Sequence, residues 1–175
     1  SRIAKSIVKY RKLNKITNTS ELVKIIKKCK NKNYASKIDP CTKTFQAIRI
    51  FVNKEITELI NGIIKATKKL KPGGKILVIS FHSLEDRIVK YFFTHFSKNQ
   101  SSSSRYLPEN KDAKLVLFDD YKNRVLRASK KEIEQNSRSR SAKLRFATRS
   151  SDKFEYPNTV LKKFKKLLDL EAIDV

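Results

Sequence analysis

The chain of 175 residues contains no methionine and no tryptophan, and it has only three glycines, two cysteines and two histidines. Three glycines are too few for a glycine-rich loop that cradles a phosphate or a cofactor, and no P-loop, GxSxG or HExxH pattern is present. Cys29 and Cys41 lack a CxxC spacing, so no metal site is predicted, and both are expected to be packing residues in a reducing compartment. Because position 1 is not a methionine, we expect the chain to begin inside a longer open reading frame.

Long hydrophobic runs are absent as well. No apolar stretch approaches the roughly 18 residues of a membrane span, and the N-terminus lacks the apolar segment of a signal peptide. The sequence therefore predicts a soluble, cytoplasmic protein without a membrane partner. With 39% hydrophobic residues it also predicts a folded chain of one ordinary domain or slightly more.

Acidic residues are scarce relative to basic ones, since 41 Lys and Arg stand against 17 Asp and Glu, a net charge of +24. A charge of this size attracts polyanions, and nucleic acid is the expected partner. Lysine, asparagine and isoleucine are all abundant, as in the products of AT-rich genomes. Codon bias therefore explains part of the excess, and the remainder indicates a polyanion partner.

Helical spacing of apolar residues dominates the chain up to residue 70. It predicts a short basic amphipathic helix over residues 1–12 and a second helix capped by Asn18 or Thr19. It also predicts a long helix over residues 42–70 that bends near Asn53.

A proline–glycine–glycine turn at residues 72–74 leads into KILVISF, residues 75–81. This segment is apolar throughout rather than alternating, which is typical of a central parallel strand covered on both faces. A helix follows, with Ser83 as the expected N-cap and Asp86 as its capping-box partner. Helix, turn, buried strand and helix form the repeating unit of an open α/β sheet, so the predicted fold class is α/β.

Four polar residues follow this strand directly: His82, Ser83, Glu85 and Asp86. Ligands of open α/β sheets bind beyond the carboxyl ends of the strands, where the next helix also points its N-terminal amides. These residues are therefore candidate catalytic or ligand-contacting groups. A structural role is the alternative, because Ser, Glu and Asp suit a helix N-terminus and a histidine can simply hold the backbone.

Beyond the helix that follows KILVISF, the pattern predicts short elements, loops and a terminal helix. They are strands at residues 114–118, 124–127 and 142–148, the last with a polar edge, a helical turn at 129–135, and polar loops at 30–40 and 97–105. The tail carries apolar residues on one face and lysines on the other. A helix packed on its own domain is favoured for it over binding to RNA or a membrane surface.

Three stretches taken together resemble one protein family. They are TKTFQAIRIFVNKEITEL from residue 42, KPGGKILVISFHSLEDRIVKYFF from residue 71 and NSRSRSAKLR from residue 136. In this order they are similar to motifs of the bacterial small-subunit rRNA cytosine-N4 methyltransferases of the RsmH/MraW type. The first two helices resemble that family's inserted helical domain, and the resemblance covers residues 1–149. It implies the C-terminal part of a class I, Rossmann-like methyltransferase sheet.

The resemblance also implies how the chain is divided. Residues 1–44 correspond to part of the inserted helical, RNA-recognition domain, and residues 45–149 to the C-terminal part of the methyltransferase domain. Residues 150–175 form a basic amphipathic tail helix outside it. The family's segment with the S-adenosylmethionine loop and the base-presenting strand has no match here. The cofactor, S-adenosylmethionine, is therefore expected to be held upstream of this chain, and the fragment alone is expected to be inactive.

The activity that the resemblance implies is methyl transfer to the exocyclic N4 amine of a cytosine in small ribosomal subunit RNA. The four polar residues after the strand then become candidates for lining the pocket of an unstacked base, and no general base is assigned. RNA contacts are expected from Arg87, Arg138, Arg140, Ser141, Lys143 and Arg145. A solvated basic strand edge is the alternative for the cluster at residues 138–145, and an internal ion pair is the alternative for Arg87.

Two other interpretations stay open. A non-catalytic basic RNA-binding module accounts for the charge of +24 and the missing cofactor loop, but not for a buried strand that ends in FHSLED. The other interpretation is a half-enzyme that has lost activity together with its N-terminal segment. A homodimer is left open for all of them.

Overall fold

The computed structural model describes residues 2–29, 39–98, 115–119 and 121–173. The chain divides into two compact units, Ser1–Glu55 and Ile56–Val175. The predicted loops at 30–40 and 97–105 lie largely outside the described residues, and the predicted functional boundaries at 44 and 149 stay predictions. The helices in chain order are α1 (Arg2–Arg11), α2 (Thr19–Lys28), α3 (Pro40–Val52), α4 (Glu55–Lys69), α5 (Ser83–His95), α6 (Lys130–Gln135), a 3₁₀ helix (Ser137–Ser141) and α7 (Asn158–Glu171). The strands are β1 (Lys75–Ser80), β2 (Leu126–Arg127) and β3 (Lys143–Thr148).

The first unit contains three helices that pack in chain order, α1 against α2 and α2 against α3. Ile26 of α2 and Cys41 of α3 are buried between them. The second helix begins as predicted, because the Oδ1 atom of Asn18 accepts the backbone N–H of Glu21 at 2.9 Å. Glu21 in turn accepts the N–H of Thr17 at 2.9 Å, and this bond is the main reason that its pKa lies below the ordinary carboxyl value.

Both cysteines are free thiols, and their surroundings agree with a packing role. Cys41 is buried, and burial is the main cause that raises the pKa of its thiol. Cys29 is half-buried, and its Sγ donates to the carbonyl of Ile25 at 3.2 Å. A raised thiol pKa lowers the thiolate fraction, which makes Cys41 a poor nucleophile.

The long helix predicted over residues 42–70 is two helices. The first, α3, ends at Val52, and Asn53 is its C-cap. Lys54 follows with φ of 51°, in the left-handed region that stops an α-helix. The bend predicted near Asn53 is therefore a complete break in the helical hydrogen bonding, which apolar spacing alone does not detect.

The second unit contains a three-stranded antiparallel sheet in the order β1–β3–β2. β1 pairs with β3 from Lys75 opposite Thr148 to Ser80 opposite Lys143. Within the described part of the chain β1 is thus an edge strand in antiparallel pairing, which differs from the predicted central parallel strand. The polar edge predicted for residues 142–148 is wrong, because β3 is the middle strand of this sheet.

The two faces of the sheet differ sharply in exposure. Helix α5 packs against β1 and β3 on one face, where Ile76 and Ser80 are buried. On the opposite face Leu77 and Ile79 are each 60% exposed, and Phe146 of β3 is 41% exposed. The continuous apolar run of β1 was interpreted as a strand covered on both faces, but in this chain every second residue of that run lies open.

An aromatic core surrounds α5. Its members are buried side chains that make edge contacts at ring-centroid distances of 5.1 to 6.4 Å: Phe92, Phe93, Phe96, Phe118 and Tyr121. Ile56, Ile60 and Ile63 of α4 are buried as well. This core holds α5, and therefore the residues at its N-terminus, in a fixed place beside the sheet.

The tail helix α7 packs on the second unit. The ring of Phe164 meets the edge of Tyr91 at a centroid distance of 5.5 Å, and Val160 is fully buried. The buried carboxylate of Glu171 accepts the backbone N–H groups of Ile56 at 3.0 Å and Thr57 at 2.8 Å. A carboxylate at these positions satisfies amides of the first turn of α4, which have no partner within the helix. These contacts support the expectation that the tail helix packs on its own domain.

The smaller predicted elements are only partly present. Of the strand predicted at 124–127, residues Leu126–Arg127 form β2, and the helical turn predicted at 129–135 is α6, which Ser129 caps. Phe118 belongs to no strand and makes single bridges to Ser97 and Arg149. Within the described ranges, no helix is long and apolar enough to span a bilayer.

Candidate nucleic-acid site at the end of the first strand

The turn that leads into β1 is built as the sequence predicts. Gly73 has φ of 78°, a conformation that costs glycine little and other residues more. Its N–H donates to the carbonyl of Arg149 at 2.9 Å, and the N–H of Arg149 returns a bond to Gly74 at 2.8 Å. This turn fixes the start of β1 against the end of β3. It therefore also fixes where the other end of β1 delivers the residues that follow it.

Helix α5 starts with a capping box that is made by His82 and Glu85. The Nδ1 atom of His82 accepts the N–H of Glu85 at 3.3 Å, while Oε2 of Glu85 accepts the N–H groups of Phe81 at 2.8 Å and of His82 at 3.3 Å. The predicted box of Ser83 and Asp86 is wrong by one position. A histidine ring nitrogen can accept as a serine oxygen does, and composition rules do not anticipate this use.

His82 and Glu85 therefore hold each other in place through the capping box. Besides the hydrogen bond that Nδ1 accepts, the Nε2 atom of His82 lies 3.3 Å from Oε1 of Glu85. The side chain of His82 is only 9% exposed. This geometry supports the structural alternative for these two residues, which shape the loop between β1 and α5.

Asp86 forms a buried ion pair with Arg145 of β3. The Nε and Nη2 atoms of Arg145 donate to the two carboxylate oxygens at 2.7 and 3.3 Å, and Nζ of Lys143 donates to Oδ2 at 3.0 Å. Burial alone would raise the pKa of Asp86, but the hydrogen bonds and charges of Arg145 and Lys143 outweigh burial and lower it. Asp86 is thus an ionised anchor between α5 and β3.

Arg145 extends this network into the core rather than toward solvent. Its Nη1 atom donates to the hydroxyl of Tyr121 at 3.0 Å and to Oδ1 of Asn123 at 3.1 Å, and the residue is 6% exposed. Burial lowers its pKa, but the hydrogen bonds to Asp86 and Tyr121 outweigh this effect and raise it. The structure therefore gives Arg145 an internal role in place of the predicted RNA contact.

The remaining predicted site residues lie at or near the surface. Ser83, Arg87, Arg138, Arg140 and Ser141 are exposed, and Lys143 has a half-exposed side chain. Asn136 caps the 3₁₀ helix by accepting the N–H of Arg138 at 3.2 Å, and this cap determines the direction in which the helix presents its arginines. The predicted solvated strand edge is replaced by a short helix that leads into a central strand.

A pocket of about 210 Å³ joins the end of β1 to this 3₁₀ helix. Its lining consists of Phe81, His82, Ser83, Arg127, Arg140, Ser141, Ala142 and Lys143. It brings together the FHS and SRSAK motifs, but it excludes Arg87, Arg138 and Arg145. Arg127 is a lining residue that the sequence analysis missed. It enters because it lies opposite Lys143 in the sheet, and no sequence pattern indicates that register.

The described lining of the pockets does not suit S-adenosylmethionine. Among the residues that the structure describes, neither this pocket nor a second one of about 350 Å³ beside Tyr121 and Phe146 is lined by a glycine or an acidic residue. A Cβ atom added at Gly74 would lie 2.9 Å from the carbonyl oxygen of Lys71, so the backbone of the chain itself occupies the space at that glycine. A cofactor with a ribose and a charged amino acid part finds no acidic partner in either pocket.

Comparisons with known proteins agree with the motifs. Residues 1–150 match the model of the MraW methylase family. The chain is 45% identical over 149 residues to "Ribosomal RNA small subunit methyltransferase H" of Bartonella grahamii, which covers 85% of this chain and 44% of that protein. It is 48% identical over 144 residues to the protein of the same name from Ehrlichia chaffeensis, covering 82% of this chain and 45% of that protein.

The match is broad for this chain and partial for its relatives. The chain spans less than half the length of these curated relatives, 44% and 45%. The tail beyond residue 150 lies outside the family match. Because the match extends over most of the chain and includes both motifs of the pocket, the chain belongs to the MraW methylase family.

Proposed function

We propose that this chain is the C-terminal, RNA-contacting part of a methyltransferase that modifies the exocyclic N4 amine of a cytosine in small-subunit rRNA. The observation that carries the proposal is the pocket at the end of β1. It combines two family-like motifs with Arg127, Arg140 and Lys143, and none of its described lining residues is acidic. Such a surface suits a polyanion. The names of the relatives supply the ribosomal RNA of the small subunit as the substrate.

Within this proposal the residues have distinct roles. A cytosine must leave its stack to expose N4, and Phe81 offers an exposed ring beside the pocket. The hydroxyls of Ser83 and Ser141 are placed to hydrogen-bond the nucleotide. His82 and Glu85 hold the loop, and Asp86 anchors α5 to β3. None of these residues is assigned as the general base.

S-adenosylmethionine would supply the methyl group, and we assign its binding to a segment outside this chain. The open edge of β1 and the apolar face formed by Leu77, Ile79 and Phe146 support this part of the proposal. A long apolar edge strand is an aggregation hazard unless another segment pairs with it or covers it. A partner segment that pairs parallel strands with this edge and packs helices on the apolar face would complete a Rossmann-like sheet and cover both faces of β1.

The test combines this chain with the uncovered N-terminal portion of the Bartonella grahamii relative, either fused or mixed. Transfer of a labelled methyl group to small-subunit rRNA is measured. The combination is expected to methylate cytosine N4, and the 175-residue chain alone to be inactive and to bind S-adenosylmethionine weakly or not at all. The double variant Leu77→Asp/Ile79→Asp should abolish assembly and activity, whereas Leu170→Asp, at an exposed leucine of α7, should not.

Several results would contradict this proposal. Micromolar binding of S-adenosylmethionine to the chain alone, measured by calorimetry, would contradict the assignment of the cofactor to another segment. Assembly without methylation would favour the second candidate, a non-catalytic RNA-binding module, which the net charge of +24 and the poor fit to the cofactor support. Sedimentation of the chain alone shows whether it is a monomer or a homodimer, in which a second copy would cover the same apolar face.

A further inference from the structure

The pocket at the end of β1 carries an unbalanced positive charge. Arg127 and Arg140 are exposed lining residues, and Lys143 is the third lining cation. Two carboxylates follow Ser83 on α5: Asp86 accepts hydrogen bonds from both Arg145 and Lys143, and Glu85 accepts from backbone N–H groups. Asp86 is therefore paired with Arg145 and Lys143 and does not neutralise Arg127 or Arg140.

The side chains suit a phosphodiester in particular. A guanidinium matches two phosphate oxygens with two parallel N–H donors, so Arg127 and Arg140 can hold one phosphate between them. Ser83 and Ser141 add hydroxyl donors on the same lining. A volume of about 210 Å³ has room for a phosphate with part of its sugar, but it does not have room for a duplex.

An exposed aromatic ring lies beside these cations. Phe81, the residue directly after β1, is 55% exposed. Cations that contact the backbone together with an aromatic ring that stacks on a base are the combination that binds single-stranded nucleic acid. In a duplex, the bases are stacked on one another and are not available to such a ring.

We infer that this pocket binds one backbone phosphate of single-stranded RNA through Arg127 and Arg140, with the adjacent base stacked on Phe81. The inference rests on the proposed function, because it takes RNA as the substrate, and it adds which residues contact the single-stranded RNA. It also predicts different roles for two arginines of the same 3₁₀ helix. Arg140 lines the pocket, whereas Arg138, equally exposed on the same 3₁₀ helix, does not.

The experiment uses the 175-residue chain and a fluorescein-labelled ten-nucleotide RNA, with binding followed by anisotropy over a range of KCl concentrations. Arg127→Ala/Arg140→Ala removes both pocket arginines. Arg138→Ala/Lys131→Ala removes two exposed cations of the same region outside the pocket lining and is the matched control. All four side chains are exposed, so each variant is expected to fold, and an unchanged thermal unfolding midpoint verifies this.

The pocket variant is expected to lose affinity by at least about tenfold at low salt, since two charge-assisted contacts disappear. The slope of log affinity against log salt should become shallower by about 0.7, the value for the one phosphate of a single strand that is no longer neutralised. The control should lose less than about threefold. Phe81→Leu should weaken binding several-fold with no change of slope, because it removes stacking and no charge.

The failures of the two proposals are distinguishable. If the pocket variant and the control lose affinity equally, RNA binding is spread over the basic surface and the inference is overturned, while the proposed function stands. If Phe81→Leu binds like the parent, the stacking part of the inference is overturned. If the parent chain binds no RNA even at low salt, both the inference and the RNA-contacting role fail together.

Discussion

Replacing Asp86 with asparagine removes the anchor between α5 and β3, and its cost can be worked out from the geometry. The carboxylate accepts two hydrogen bonds from Arg145, at 2.7 and 3.3 Å, and one from Lys143 at 3.0 Å. The side chains of Asp86 and Arg145 are only 12% and 7% exposed. Asparagine keeps one acceptor oxygen but leaves the guanidinium buried without a counter-charge. We expect a loss of about 3 kcal/mol in the free energy of unfolding, near the lower end for a broken buried pair.

The assay is urea unfolding followed by NMR signals of amides in α5 and β3, which report the second unit directly. Asp119→Asn is the matched control, because the same atoms change in an exposed pair with Lys98, at 2.9 Å with side chains 47% and 43% exposed. That control should lose less than about 1 kcal/mol. A loss for Asp86→Asn no greater than that of the control would refute the assignment of Asp86 as an anchor.

The same variant predicts a pH dependence. The pKa of Asp86 is lowered on folding, so its ionised form contributes stability above the ordinary aspartate pKa of about 4. This contribution is lost as the pH falls through the lower folded-state pKa. The difference in unfolding free energy between the parent and Asp86→Asn should therefore be constant from about pH 5 to 8 and shrink below about pH 4. A gap that widens in acid would contradict the direction of this shift.

Three further changes have expected outcomes that denaturant or thermal unfolding can measure. Glu171→Gln should cost about 1–3 kcal/mol, because amides of the first turn of α4 lose a charged acceptor, whereas Asp169→Asn on the exposed side of α7 should be neutral. Gly73→Ala should cost about 1 kcal/mol, because alanine is strained at φ of 78°. Arg149→Lys should cost about 2 kcal/mol or more, because the buried guanidinium donates to three backbone carbonyls and one hydroxyl that a lysine cannot all reach. Equal stability of parent and variant would contradict the corresponding contact.

Local chemistry was predictable from the sequence because it acts over a few residues. The cap at Asn18, the helical turn at 129–135 and the glycine turn at 72–74 depend on residues a few positions apart, and the structure contains all of them. The break at Lys54 was missed because nothing in the apolar spacing changes there. His82 was identified from the sequence as a candidate catalytic group, and the structure shows it as the N-cap of α5.

The candidate site could be predicted only as two separate motifs. Their residues were identified, yet the sequence assigned Arg145 to RNA and did not identify Arg127. Asp86 and Arg145 are 59 positions apart, and only the antiparallel pairing of β1 with β3 brings them within 2.7 Å. The same pairing turns Arg145 inward, while the register of β2 on β3 brings Arg127 to the pocket.

The sequence by itself determined where α2 begins, the glycine turn before β1, the large positive charge and the motifs of the family. Tertiary structure alone decided which basic side chains are buried and which face solvent. The physical reason is that a strand alternates its side chains between two faces, so a pairing partner and its register, rather than composition, decide the environment of each residue. The apolar residues of β1 predicted a strand buried on both faces, but α5 packs on one face of the sheet and Leu77 and Ile79 lie exposed on the other.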